Sequence, residues 1–130
     1  MAGWGVIPAI RVRDMTQEWA FYVDILGFEV RRGGPDEDHN GLFLGDANLM
    51  LEAATPTYSV EYDAAIQQRL GTPSAVALYI EADDLPGLYE RVQRAGAAIV
   101  DPLASRPWGQ SEFTIEDPEG NWLTFWKKDE

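Results

Sequence analysis

Ile10-Arg11-Val12-Arg13-Asp14-Met15 leads into a stretch that closes at Ile25-Leu26-Gly27, and Leu78-Tyr79-Ile80-Glu81-Ala82-Asp83-Asp84-Leu85 leads into another that closes at Arg94-Ala95-Gly96. Each reads as a strand, a capping aspartate, an amphipathic helix and a glycine stop. Asp84 follows Asp14 by 70 residues, but Gly96 follows Gly27 by only 69, so the second helix is one residue shorter. The chain therefore describes one strand–helix module twice. A duplicated module of this kind predicts a symmetric body with a cleft, whose lining decides the function.

Around these two stretches the remaining elements follow from pattern. Asp14 caps the first helix with Gln17 at capping-box spacing, and Met15, Trp19, Tyr22 and Leu26 share one face. In the second copy Asp84 caps, Pro86 occupies the tolerant first turn, and Leu85, Leu88, Val92 and Ala95 form the apolar stripe. Gly41–Leu44 and Leu49–Ala53 read as strands about Gly45-Asp46-Ala47-Asn48, and Glu112–Glu116 and Trp122–Trp126 as strands about Asp117-Pro118-Glu119-Gly120-Asn121. Ser59–Leu70 reads as a linking helix with Tyr62, Ile66 and Leu70 on one side, and Gly33–Asn40 as a mobile loop holding the single histidine, His39. The fold class is α+β: two βαβββ modules in one domain spanning 1–130, with module one at about 1–56, the linking helix at about 59–70 and module two at about 74–128.

Alternation along the strands sorts residues onto two sheet faces. One is apolar (Ile10, Val12, Leu42, Leu44, Leu49, Leu51, Val76, Leu78, Ile80, Phe113, Ile115, Leu123, Phe125) and must meet the helices. The other carries Arg11, Phe43, Met50, Glu52, Tyr79, Glu112, Thr114, Trp122, Thr124 and Trp126. So many large aromatics on a face turned from the helices predict a ligand cleft or a subunit interface.

Composition narrows the partners. A net charge of −12, with 10 basic against 22 acidic residues, argues against nucleic acid, whose phosphates need Lys and Arg. It favours cationic small molecules by electrostatic steering, or serves solubility alone. Cysteine is absent, which removes disulfides, thiolate metal sites and cysteine nucleophiles. No apolar run is long enough to span a membrane, and the first residues lack the pattern of a signal peptide, so a cytoplasmic location is expected.

Ile10-Arg11-Val12-Arg13-Asp14, Phe21-Tyr22 with Ile25-Leu26-Gly27-Phe28, and Asp117-Pro118-Glu119-Gly120-Asn121, set in the duplicated arrangement, resemble the vicinal oxygen chelate superfamily of glyoxalases, ring-cleaving dioxygenases and bleomycin-resistance proteins. The resemblance covers nearly the whole chain. It implies curled mixed sheets around a cleft with helices on the outer face, commonly in a homodimer. Enzymes of the superfamily usually hold a divalent metal there by His and Glu from four strands. Carried over position by position, those four places fall on Ile7, Met50, Ala75 and Thr124, which are poor donors for such an ion. Neither metal nor cofactor is therefore expected. Asn48-Leu49-Met50-Leu51-Glu52, Pro107-Trp108-Gly109 and Pro8 resemble the bleomycin-resistance branch in particular.

The candidate ligand-binding residues are Phe43, Met50, Glu52, Tyr79, Trp108, Glu112, Trp122 and Thr124, with no catalytic residue assigned. Trp108 beside Gly109 is placed to stack on a planar ligand, and equally to pack a loop onto a sheet. Trp122 and Trp126 fit either the cleft or a dimer seam. Glu52 and Glu112 suit a cationic group, and equally a partner such as Arg11. The leading expectation is a metal-free protein that sequesters a planar, cationic, aromatic natural product or antibiotic. The alternatives are a lyase, isomerase or dioxygenase with an atypical or absent metal site, in which Glu52, Glu112, Tyr79 and Arg11 supply acid–base groups, and a module whose aromatic face forms subunit contacts.

Overall fold

In the computed structural model, which describes residues 3–54, 59–72 and 74–130, the chain divides into two compact units, through Thr72 and from Pro73. The first contains β1 (Ala9–Val12), α1 (Met15–Trp19, continuing as a wider turn over Ala20–Ile25), β2 (Glu29–Arg32), β3 (His39–Leu44), β4 (Ala47–Ala53) and α2 (Val60–Arg69). The second contains β5 (Ala77–Glu81), α3 (Leu85–Arg94), β6 (Ala98–Ser105), β7 (Gln110–Glu116) and β8 (Trp122–Lys128). The sheets have the same topology, β1-β4-β3-β2 and β5-β8-β7-β6. In each, the first strand lies parallel to the last and the others run antiparallel. The parallel pair requires a crossover, and the helix after the first strand begins it. Two βαβββ modules of α+β class are what the duplicated sequence implied.

Both helices start on the expected caps. Asp14 Oδ1 accepts from the Gln17 amide at 3.1 Å, and Asp84 Oδ1 accepts from the Gly87 amide at 3.1 Å. The residue by which the first helix is longer is absorbed at Ala20–Ile25, where the backbone opens into a π turn. There the Leu26 amide reaches back five residues to the Phe21 carbonyl. Below the bulge the apolar stripe shifts. Phe21, Tyr22 and Leu26 are buried, as is the acidic Glu18, while Met15 and Trp19 are only partly covered. Tyr22 meets Phe21 and Phe28 edge-on, with ring centroids 5.4 and 5.6 Å away. In the second unit Leu85, Leu88 and Val92 of α3 are buried together with Phe113, Ile115, Leu123 and Phe125 of the sheet, as the alternation required, while Ala95, the last residue of the expected stripe, is exposed at the helix end.

The β3–β4 turn is tighter than expected: Leu44 pairs with Ala47, leaving Gly45-Asp46 as a two-residue hairpin with positive φ at Gly45. Buried Asp117 closes the other turn by accepting from the amides of Glu119 and Asn121 at 3.0 and 2.7 Å. Helix α2 is capped by Ser59, and Arg11 reaches it from β1, donating to the Tyr62 hydroxyl at 2.9 Å, so it belongs with the first unit.

Two placements differ from the reading of sequence alone. Val76 is not on the apolar sheet face; it precedes β5 and is 65% exposed. His39 and Asn40 are not loop residues but open β3. Asn40 is buried, and its Oδ1 accepts from the Gly34 amide at 2.8 Å, fastening the loop it was expected to belong to.

Candidate functional site

The strand registers define equivalent positions in the two modules. Ala9 pairs with Met50 and Met50 with Gly41, just as Tyr79 pairs with Thr124 and Thr124 with Thr114. One step along, the row Arg11, Glu52, His39 corresponds to Glu81, Trp126, Glu112. Partners across a ladder project to the same side. All the strand residues proposed for the site thus lie on the sheet face turned from the core, Phe43, Met50 and Glu52 in module one and Tyr79, Glu112, Trp122 and Thr124 in module two.

In module one Glu52 is the centre of a polar cluster. Its Oε2 takes the Arg11 Nη1 at 2.8 Å and lies 3.1 Å from His39 Nδ1, and its side chain is only 6% exposed. Arg11 is fixed from its other end by the Tyr62 hydroxyl, with its guanidinium 5.4 Å from that ring's centroid. Glu52 is therefore already committed to partners in its own module. Sequence reading named Arg11 as a possible partner, but it left out His39 because one bulk of Gly and Asp residues made 33–40 look like a loop.

Beside this cluster lies a groove of about 290 Å³ lined by Trp4, Ile7, Arg31, Arg32, Gly41 and Met50, among others. Neither arginine was anticipated. Strict alternation would send consecutive residues to opposite faces, but the β2–β3 register slips between Val30 and Arg32. This bulge brings both side chains over Gly41: a Cβ built there would sit 3.2 Å from Arg32 Cγ and 3.8 Å from Arg31 Cβ. Arg31 lies between two rings, 4.8 Å from the Trp4 centroid and 4.6 Å from that of Phe43, and donates to Asn48 Oδ1 at 3.1 Å. Arg32 reaches Met50 Sδ at 3.7 Å. The one signal in sequence was Arg31-Arg32 immediately before Gly33-Gly34.

Module two presents a different surface. Tyr79 and Trp122 are exposed on the sheet face, at 60% and 44%, and Trp108, at 63%, stands in the β6–β7 turn. Buried Thr124 shares a hydrogen bond of 2.8 Å with Thr114, its cross-strand neighbour. Buried Glu112 is approached by Arg106 Nε at 3.6 Å and Gln110 Nε2 at 3.4 Å, and Arg106 also pairs with Asp101. Like Glu52, Glu112 has its charge answered within the module, here by an arginine from the same turn as Trp108.

The superfamily's metal does not fit these residues. Met50 and Thr124 do occupy equivalent register positions, but one is a thioether and the other a hydroxyl spent on Thr114. Ile7 lies two residues before Ala9, so its register counterpart is Ala77, two before Tyr79; Ala75, the position taken from sequence, falls outside β5. Isoleucine and alanine offer no donor at either place. Among the described residues no three His, Asp or Glu side chains gather as an ion would require.

The sequence matches the Glyoxalase/Bleomycin resistance protein/Dioxygenase superfamily over residues 6–125, and the chain belongs to that family. It is 25% identical over 121 residues to the uncharacterized protein YwbC of Bacillus subtilis (strain 168), covering 92% of this chain and 93% of YwbC. Its structure is similar to that of TioX from Micromonospora sp. ML1, with a TM-score of 0.73, 22% identity and 93% of each chain covered. It is also similar to UcmS2, with a TM-score of 0.70, 25% identity, and 97% and 98% of the two chains covered. A glyoxalase/bleomycin resistance protein/dioxygenase from Alicyclobacillus acidocaldarius gives 0.65 at 22% identity, with 100% of this chain and 96% of that one covered. No helix among the described residues is long and apolar enough to cross a membrane.

Proposed function

We propose that this chain is a metal-independent small-molecule binding protein of the glyoxalase/bleomycin-resistance type, which sequesters a planar natural product or antibiotic by stacking. The observation that carries the reading is the exposure of Tyr79, Trp108 and Trp122 on and beside one sheet face of module two. Large rings left in water are costly unless something covers them. The donor-poor positions Ile7, Met50, Ala77 and Thr124 support binding without a metal. The cationic charge expected of the ligand is not carried over, because Glu52 and Glu112 are engaged by Arg11 and Arg106. A homodimer, a single 1–130 domain, a cytoplasmic location and the absence of nucleic-acid partners belong to the same proposal.

The test is a tryptophan-fluorescence titration of chelator-treated protein with metal-free bleomycin and other planar antibiotics. Saturable quenching at micromolar concentration, weakened at least about tenfold by Trp108→Ala or Trp122→Ala, is the expected result, since a lost stacked ring forfeits aromatic contact and buried area together worth on the order of 1–2 kcal/mol. No response across the panel refutes it. One observation favours a catalytic alternative. Glu52 lies 3.1 Å from His39 Nδ1, the kind of carboxylate contact that orients a histidine base. Turnover abolished by His39→Gln with ligand affinity intact would establish that reading instead.

A further inference from the structure

We infer that the module-one groove recognises the carboxylate of a small aromatic acid, with Arg31 and Arg32 as the recognising pair. This rests on the small-molecule reading and names the chemistry of one part of the ligand. In a chain with 22 acidic residues, Arg11, Arg94 and Arg106 each pair with a carboxylate. Among the described residues, no carboxylate stands within ion-pair distance of Arg31 or Arg32, which reach instead the Asn48 amide oxygen and the Met50 thioether. Two guanidiniums left over in one groove of an acidic protein call for an anion.

The geometry makes that anion flat. The Arg31 guanidinium stacks near the Trp4 and Phe43 rings, and its planar fork of N–H donors suits a carboxylate, which can accept two of them at once. The two ring contacts and the bond to Asn48 hold this fork in place before any ligand arrives, which reduces the ordering cost of binding. Gly41 makes the arrangement possible: any side chain at that position would meet Arg32. Ile7, Met50 and Trp4 then give the groove apolar walls, and its volume of about 290 Å³ is at the small end for ligand pockets. A compact ring bearing a carboxylate satisfies both the walls and the arginines.

The experiment is isothermal titration calorimetry with three probes of one ring system: naphthalene carboxylate, its uncharged carboxamide and the corresponding aminomethyl cation. The carboxylate is expected to bind at least about tenfold more tightly than the carboxamide, the scale of a charge-assisted hydrogen-bonded pair. Arg31→Gln and Arg32→Gln should each lower carboxylate affinity and leave carboxamide affinity unchanged. Arg31→Lys should fall between, because it keeps the charge and loses the fork. Both positions are exposed strand residues, so a thermal melt should show the variants folded. Equal affinity for carboxylate and carboxamide, a parallel loss of both in the arginine variants, or no saturable binding of the carboxylate by millimolar concentration overturns the inference. Tight binding of the carboxamide or the cation would then leave the small-molecule reading standing, whereas that reading falls only if the wider antibiotic panel is silent as well.

Discussion

Replacing Glu52 separates two roles that one carboxylate can play, a strut within module one or an anchor for ligand. Its side chain is 6% exposed and that of Arg11 is 11%, so the pair sits largely out of water. Glu52→Ala leaves the Arg11 guanidinium without its carboxylate in that setting, a change that costs about 3–5 kcal/mol for buried pairs. The Tyr62 hydroxyl still accepts from Arg11, which places the expected loss at the lower end, about 3 kcal/mol. Glu52→Gln keeps an acceptor and should lose only about 1–2 kcal/mol. Replacing both partners, Arg11→Met with Glu52→Leu, removes the charges together and should return stability to within about 1 kcal/mol of the parent.

Urea denaturation followed by circular dichroism reads these differences, and the thermal midpoint should fall by about 10 °C in Glu52→Ala. The same variants titrated with any bound ligand supply the second axis. A strut predicts lost stability with little change in affinity once the protein is held below its new midpoint. Glu52→Ala remaining within about 0.5 kcal/mol of the parent, the range of ordinary surface substitutions, would refute the strut. If affinity collapsed at the same time, Glu52 would be a ligand anchor after all.

Three further outcomes follow from local geometry. Phe113→Ala empties a fully buried site against Phe125 and Tyr89 and should cost about 3–5 kcal/mol in the same urea assay. Gly87→Ala should destabilise by about 1 kcal/mol although alanine is the better helix former, because its Cβ would lie 2.2 Å from Asp84 Oδ2 and displace the cap; a gain in melting temperature would refute this. Hydrogen bonds from Ser111 and then Ser105 hold the Asp129 carboxyl below its ordinary 3.8, outweighing a small opposing effect of desolvation. Its folded value being the lower one, the contact stabilises the chain above about pH 4 and is lost as pH falls through the folded value; Ser111→Ala should raise the Asp129 titration midpoint read by NMR.

The parts of the fold that sequence made legible are those controlled by local chemistry. Caps at Asp14 and Asp84, the Asp117 turn and the alternation of β7 and β8 each depend on a few neighbouring residues, and each stands where the pattern put it. The parts that were hidden come from single-residue irregularities, which change the phase of everything after them. The extra residue of the first helix was visible as the change of offset from 70 to 69, but not that it would open a π turn at Ala20–Ile25 and leave Glu18 covered. Likewise, nothing in Val30-Arg31-Arg32 says that the strand bulges there, and without the bulge one arginine would leave the groove.

The duplication also separates the rows of each sheet that alternation can find from those it cannot. Register makes His39 equivalent to Glu112, Gly41 to Thr114, Met50 to Thr124 and Glu52 to Trp126. Not one of these pairs conserves its chemistry, whereas the buried row beneath them mostly does: Leu51 matches Phe125, Leu49 matches Leu123 and Leu42 matches Ile115, with Asn40 against Phe113 the exception. Packing against a helix constrains the inner row of both modules in the same way, so alternation finds it in either. The outer row carries no such shared constraint, and a charged cluster with an arginine groove stands on one module where hydroxyls and exposed rings stand on the other. The charge that the proposed ligand would bear therefore turns on Arg31, Arg32 and the partners of Glu52 and Glu112, and only the three-dimensional pairing of those side chains shows which of them are already engaged.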